Sequence, residues 1–431
     1  MNPSHPTDRR SFLKTGGLVT AAAALPTILR AQDAAKAAGD IRVALVGCGG
    51  RGTGAATQSL NVPGTRLVAI ADVFPDNAQR AYDTLKKQFG DKVDVPKERI
   101  FSGFDAYKGA IEACDLVILT TPPGFRPTHF EYAVEKGKHV FLEKPVAVDG
   151  PGIRKVLEAA KKADEKGLKV VGGLQRHYQN SYLETLAKVK EGVIGDMVSA
   201  QVYWSGPGVW TRARKEGMTE MEYQMRNWYY FNWICGDHIV EQHIHNIDVV
   251  NWFKGGAHPV KANGIGGRTQ RIGKDWGEIY DHHYVEFTYA DGTVMNSQCK
   301  HWEGTWSRVS ESMMGTLGTA QPGQIKDRKG KIIWRFKGPD NNPYQTEHDV
   351  LVQHIKENKA INDAYFTAES TLSAILGRMA TYSGQEVTWE QALNSTVDTM
   401  PKTLAWDADP GPKAGADGLY PAPVPGKSVV I

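Results

Sequence analysis

At 431 residues the chain is long enough for two globular cores, since a single core rarely keeps growing past about 250 to 300 residues. Lys and Arg number 51 against 48 Asp and Glu, a net charge of only +3 with the signs interspersed, which excludes the basic stripe that a nucleic-acid backbone demands. Cys48, Cys114, Cys235 and Cys299 lie far apart with no framework spacing, so free, mostly buried thiols are expected rather than disulfides.

Residues 1–31 stand apart from the rest. In "TDRRSFLKTGGLVTAAAALPTILRAQ" the pair Arg9 and Arg10 precedes Phe12, Leu13 and Lys14, and the weakly apolar run from Gly16 to Leu25 is too short to span a bilayer. The segment resembles a twin-arginine export signal; the bland alternative is an amphipathic N-terminal arm. Such signals are associated with proteins exported already folded, often around a cofactor, and imply a periplasmic destination. No later apolar run approaches the roughly 20 residues of a membrane helix.

Residues 32–40 read as a polar, alanine-rich linker. After it, "IRVALVG", "TRLVAIADV", "CDLVILTTPP" and "HVFLEKP" are short apolar strands separated by helical segments, the pattern of a parallel sheet covered on both faces. A doubly wound α/β domain is expected over 41–173. From 174 to 400 the texture changes: "MVSAQVYWSG", "VKANGIGGRTQ", "HHYVEFTYADGTVMNSQCKHW" and "SESMMGTLGTA" alternate like antiparallel strands, with "ADG" as a hairpin turn. Their partner helices are expected at Cys235 to Trp252 and in "AESTLSAILGRMATYSGQ", giving an α+β domain with an open sheet. Residues 401–431 are rich in Pro and Gly and read as an extended tail lying against the body or a neighbouring subunit.

Gly47, Gly49 and Gly52 in "VGCGGRG" match G-x-G-x-x-G, a weak pattern alone but here placed directly after the first strand. A pyrophosphate is expected at the start of the following helix, near Gly50 and Arg51. Asp72 ends the second strand, where a carboxylate accepts ribose hydroxyls, and Val73 after it offers nothing to a 2'-phosphate; NAD is preferred over NADP. The alternatives are a glycine turn with no nucleotide, or FAD.

"TTPPGFRPTHFEYAVEKGKHVFLEKPVAVD", with the glycines before it, resembles the glucose-fructose oxidoreductase, inositol dehydrogenase and MocA (Gfo/Idh/MocA) family, and the resemblance runs through "ESTLSAILGRMATYSG". It implies a Rossmann domain with Thr121, Pro122, His129 and Glu143 on the cofactor. It also implies Lys144 beside both the nicotinamide and the substrate hydroxyl, and a cis peptide at Pro145. The family's second motif, an acid, a histidine four residues on and an aspartate three further, matches Glu241, His245 and Asp248. Family dehydrogenases commonly carry aspartate where Glu241 stands. The resemblance further implies a homodimer or homotetramer built on the open sheet.

Positions i, i+4 and i+7 share one helical face, so Glu241, His245 and Asp248 can converge. Removing hydride from a carbinol carbon requires the O–H proton to leave, which suits His245 as base and Lys144 as stabiliser of the developing alkoxide, with Glu241 orienting the imidazole or sharing the proton. Asp248 is equally readable as a structural partner. A zinc site from His238, Glu241 and His245, completed by His282, His283 or His301, is the competing reading, but HExxH and CxxC spacings are absent and no metal is expected. Candidate substrate contacts are Arg176, His177, Tyr178, His243 and Tyr280, with Trp210, Trp302 and Trp306 as flat faces for a sugar ring; core roles are the default for His243, His282 and His283. The expected function is an exported NAD(P)-dependent oxidoreductase of sugars, glycosides or polyols with a tightly held cofactor. The alternatives are a glycosidase using NAD transiently and a sugar-binding protein with a vestigial nucleotide site.

Overall fold

Strand β1 (Ile41–Val46) is apolar because both its faces are covered. Val43 and Leu45 enter a cluster with Leu60 and Leu85, whereas Ala44 and Val46 enter another with Phe130 and Val156, the two-way alternation of a strand buried on both sides. The computed structural model describes residues 39–430, so the signal segment 1–31 and the linker up to residue 38 lie outside the described residues.

Six parallel strands follow the order β3-β2-β1-β4-β5-β6, with β2 at Thr65–Asp72, β3 at Ile100–Ser102, β4 at Leu116–Leu119, β5 at His139–Leu142 and β6 at Val170–Gly172. The order reverses between β1 and β4, and ligands of such sheets bind at the carboxyl ends of the strands beside that reversal.

A second, nine-stranded sheet has the order β14-β13-β12-β11-β7-β10-β9-β8-β15 and is antiparallel except where β7 (Met197–Gly206) meets β10 (Val294–His301). Strands β8 (Pro259–Gly267), β9 (His282–Tyr289) and β11 (Arg308–Gly315) flank this centre, and Gly292 with φ +82° makes the turn between β9 and β10. Strands β12 (Gly318–Gln321), β13 (Gln324–Asp327), β14 (Ile332–Arg335) and β15 (Val387–Thr388) complete the edges. One face, with Val202, Val285, Phe287 and Met295, is buried. The opposite face carries the cross-strand row Ile265, Tyr284, Gln298, Tyr203 and Ser310, in which Ile265 is 72% exposed.

The helix Ala364–Ser383 packs against β8 and β9 and also against the Rossmann helix Gly150–Glu165. It is small and polar enough to serve both sides: Thr371 Oγ1 accepts from the Val146 N–H (3.3 Å), and Ser370 Oγ donates to Asp248 (2.8 Å).

Two elements differ from the sequence expectation. The helix expected through Cys235 to Trp252 is broken, with one turn at His238–Glu241 and a helix at Ile244–Phe253 separated by Gln242 and His243. A helix at Pro343–Glu357, absent from the sequence reading, closes the far side of the parallel sheet. Residues 401–430 carry no regular element and lie along the body: Tyr420 is buried, its hydroxyl accepts from Arg214 (2.9 Å), and Trp406 packs on Phe74 and Phe104 (ring centres 5.3 and 4.9 Å).

Candidate active site

A cleft of about 1010 Å³ opens at the carboxyl ends of the parallel strands. The segments behind β1, β2, β4 and β5 deliver Gly47 to Gly52, Asp72, Thr121 with Pro122, and Glu143 with Lys144 to one continuous wall. His129 lines it as well, so every position assigned to the cofactor from sequence meets here.

Two glycines are sterically obligatory. Gly47 has φ +96°, and a Cβ on it would sit 2.5 Å from the Thr121 N; a Cβ on Gly52 would sit 1.9 Å from the Gly47 O. Gly49 differs, because a Cβ there would meet nothing within 4 Å and its backbone is ordinary (φ −72°, ψ −175°). It caps the helix Gly50–Asn61, which has no acid in its first turn, so unpaired N–H groups face the cleft. This cradle, open at Gly49 and closed behind Gly47 and Gly52, suits a pyrophosphate.

Asp72 ties the glycine loop to β2: its carboxylate accepts from the Cys48 N–H (2.7 Å), the Phe74 N–H (2.9 Å) and the Asn77 amide (3.3 Å). Burial pushes its pKa up against these bonds. Arg51 donates to Glu143 (2.5 Å), Gln58 (3.1 Å) and Glu347 (3.2 Å) and lies over the Tyr344 ring. Its charge is therefore already matched by the Glu143 carboxylate. Burial and the neighbouring Glu143 hold the Glu347 carboxyl well above the usual range. His129 bonds Thr121 (3.2 Å) and stacks on Tyr107, and burial drives its pKa down to about 3.

From the second half, Glu241, Gln242, His245 and Trp204 face the same cleft. Lys144 Nζ donates to the Glu241 backbone O (2.5 Å) and Oε1 (3.3 Å), joining the end of β5 to the turn His238–Glu241. The Lys144–Pro145 peptide is cis. His245 is buried beside Trp204 (ring centres 5.9 Å), and burial together with the Lys144, Arg176 and Arg51 charges holds its pKa well below the ordinary value, leaving a neutral imidazole. Its Nδ1 is sealed without a partner, which leaves Nε2 as the nitrogen open to the cleft.

Several sequence-predicted contacts are placed elsewhere. Asp248 accepts from Ser370 and pairs with His177 (2.8 Å), whose ring is sandwiched by Trp252 and Phe366 (4.0 and 4.3 Å). The break at Gln242 and His243 adds rotation between the two helices, so Asp248 leaves the face shared by Glu241 and His245. Tyr178 donates to Asp363, and Arg176 is paired with Glu311. His243 bonds Ser297 (2.8 Å) in the core, and Tyr280 donates to the Pro423 O (2.9 Å). Trp302 donates to Asp281 (3.0 Å), and Trp306 packs on Tyr203, on the sheet face opposite Trp204. None of these lines the cleft; of the three tryptophans, only Trp210 does.

His238 does not join Glu241 and His245. It lies fully buried with Asp237 and His283, three side chains whose donor atoms fall within 4.8 Å of one another. Asp237 already accepts from the Tyr280 N–H (3.0 Å), the Tyr382 hydroxyl (2.5 Å) and the His238 N–H (2.5 Å), which describes a hydrogen-bonded hub better than a ligand set.

Sequence reading missed Arg126 and Gln242. Arg126 is 2% exposed, donates to the Leu119 O (2.8 Å) and lies behind Glu143; burial lowers its pKa to about 10. The only signal was a charged residue inside the apolar "PPGFRPTHF". Gln242 carried no signal, because its exposure depends on the helix break.

Strand order, glycine cradle and cleft define a Rossmann-type dinucleotide-binding protein with an attached open-sheet half. The comparisons agree: residues 41–171 match the model described as "Oxidoreductase family, NAD-binding Rossmann fold", and residues 6–26 match the twin-arginine translocation signal. Residues 41–171 are thus an NAD-binding domain of the Gfo/Idh/MocA oxidoreductase type, and the signal marks the chain for export across the cytoplasmic membrane. It is similar to a glycosyl hydrolase family 109 protein of Porphyromonas gingivalis, 28% identical over 37% of this chain and 33% of that protein. It is also similar to an inositol 2-dehydrogenase of Rubrobacter xylanophilus, 27% identical over 68% of this chain and 74% of that one. Matches to the glycosyl hydrolase relatives span only a third to a half of their length. Among solved structures, the aldose-aldose oxidoreductase of Caulobacter crescentus superposes with TM-score 0.62 at 17% identity, over 81% of this chain and 99% of that one. The scyllo-inositol dehydrogenase of Lactobacillus casei with NAD(H) and scyllo-inositol gives TM-score 0.60 at 20% identity, over the same shares. Among the described residues no helix is long and apolar enough to cross a membrane.

Proposed function

We propose that the protein is an NAD-dependent oxidoreductase acting in the periplasm on a secondary alcohol of a sugar, glycoside or polyol. The observation that carries this reading is the meeting of Lys144 from the Rossmann half with Glu241 and His245 from the other half in one cleft. The glycine cradle and Asp72 would hold the dinucleotide, and a nicotinamide bound there supplies the hydride acceptor. His245, neutral and open at Nε2, takes the hydroxyl proton. Lys144, anchored by Glu241, stabilises the negative charge that develops on the same oxygen. NAD is preferred over NADP because a carboxylate at the end of β2, Asp72, would repel a 2'-phosphate. Arg80 and Arg226, which also line that end, are each tied to Asp76 at 3.2 Å. The uncovered row on the nine-stranded sheet supports a homodimer or homotetramer.

A second reading, favoured by the similarity to proteins named as glycosyl hydrolases, is a glycosidase whose oxidation is transient, with net hydrolysis and no net change in the cofactor. The test incubates purified protein, without added cofactor, with nitrophenyl glycosides, free hexoses and inositols. Aglycone release without accumulating reduced nicotinamide favours the glycosidase. Stable reduction that a second carbonyl compound reverses favours the oxidoreductase, and neither response across the panel refutes both.

A further inference from the structure

A line of three side chains runs from the interior to the cleft beside Glu241. The Arg271 guanidinium, buried over the rings of Tyr230 and Trp276, contacts Nδ1 of His301 through Nη2. On the other side of the ring, His301 Nε2 lies 2.7 Å from Gln242 Oε1. Arginine can only donate, so Nδ1 of His301 must present its lone pair. A neutral imidazole then carries its single proton on Nε2, whereas an imidazolium would oppose N–H to N–H against Arg271. Burial, with His238 and Arg271 nearby, also holds this ring far below its ordinary pKa.

His301 Nε2–H therefore donates and requires an oxygen opposite, which fixes the Gln242 amide with Oε1 inward. The amide nitrogen bonds no other described residue and opens on the cleft that Gln242 lines with Glu241 and His245. A free glutamine offers either end to a ligand; this one offers only N–H.

We propose that Gln242 is a donor-only contact for a substrate oxygen, with His301 and Arg271 as its positioning residues. The cleft then accepts a hydroxyl or carbonyl at this position and discriminates against an ammonium or a bare methylene, because the amide cannot turn to suit them. The inference rests on reading the cleft as a carbohydrate oxidoreductase site.

The test uses the full protein with its retained cofactor and the panel above. Gln242→Glu is isosteric but replaces the donor with an acceptor; kcat/KM is expected to fall about thirtyfold or more on whichever panel compound is turned over, with cofactor content unchanged. His301→Gln, whose amide can accept from Arg271 and donate to Gln242, is expected to lose less than His301→Leu, mainly in KM. Isotope-labelled glutamine gives a readout independent of turnover: the Gln242 side-chain amide signal, identified by its disappearance in Gln242→Glu, should move in His301→Leu. Unchanged kcat/KM in Gln242→Glu, or an amide signal indifferent to His301→Leu, overturns the proposal. A protein that turns over no panel compound counts against the reading of the cleft, while the amide signal still decides the orientation.

Discussion

Gly49 and Gly52 sit three residues apart in one motif, yet their replacement by alanine should fail in different ways. At Gly52 the new Cβ would lie 1.9 Å from the Gly47 O and 2.6 Å from Thr120 Oγ1, where ordinary contact is 3.4–4 Å. Relief requires moving the backbone at the end of β1, so the cost should reach or exceed the roughly 1–3 kcal/mol of common overpacking. Melting should drop by several degrees, at about 2–4 °C per kcal/mol for a large domain. At Gly49 the backbone is one that any residue adopts and the Cβ enters open space, so the gain of about 0.4–1 kcal/mol from restricting the unfolded chain should be roughly offset by alanine's poorer capping, leaving stability nearly unchanged. That Cβ, however, occupies the approach to the helix N-terminus. Losing one charge-assisted hydrogen bond to pyrophosphate costs about 1.5–3 kcal/mol, or about ten- to a hundredfold in Kd. Melting curves and NAD titration of stripped protein read both effects. Gly49→Ala binding NAD within about threefold of the parent, or Gly52→Ala melting with the parent, would refute the steric reasoning.

Lys144→Met should slow reduction of bound cofactor by about a hundredfold or more while leaving it bound, as single-turnover absorbance would reveal; equal rates would remove Lys144 from the chemistry. Burial holds His129 and His348 neutral to about pH 3 and His238 to about pH 4, against about 6.5 when unfolded. The unfolded chain takes the extra protons, so stability is full above pH 6.5 and should fall by about 1.4 kcal/mol per histidine per pH unit toward pH 4; a flat melting profile there contradicts their burial. All four cysteines are free and buried, with Cys114 pushed up to about 12 and the others also raised by burial. A disulfide reagent should therefore titrate none quickly in the native protein and four after denaturation. Asp248→Asn should lower the melting temperature without changing cofactor content; loss of NAD instead would return Asp248 to the cleft.

The sequence was most readable where backbone geometry leaves one solution. Gly47 and Gly52 must be glycine because neighbouring backbone fills the space, and the acid at Asp72 marks the end of a strand; both are local facts. Lys144 and Glu241 meet across nearly a hundred residues, and only the family resemblance linked them. Helical arithmetic placed Asp248 with His245, but it assumed an unbroken helix, and two residues out of helix redirected the side chain to His177. Isolated aromatic residues were the least readable: Trp204 and Tyr203 are adjacent in one strand and face opposite ways, so only strand register assigns Trp306 to the outer surface. Arg271 and His301 acquire meaning only through each other, since neither spacing nor composition reveals a proton's position on a ring.

Phe74 borders the nucleotide cleft, yet part of its support comes from Trp406. That wall is thus finished by a ring translated long after the glycine loop has emerged from the ribosome. Full closure of the wall around Phe74 consequently waits until the C-terminal segment has been made and laid against the body.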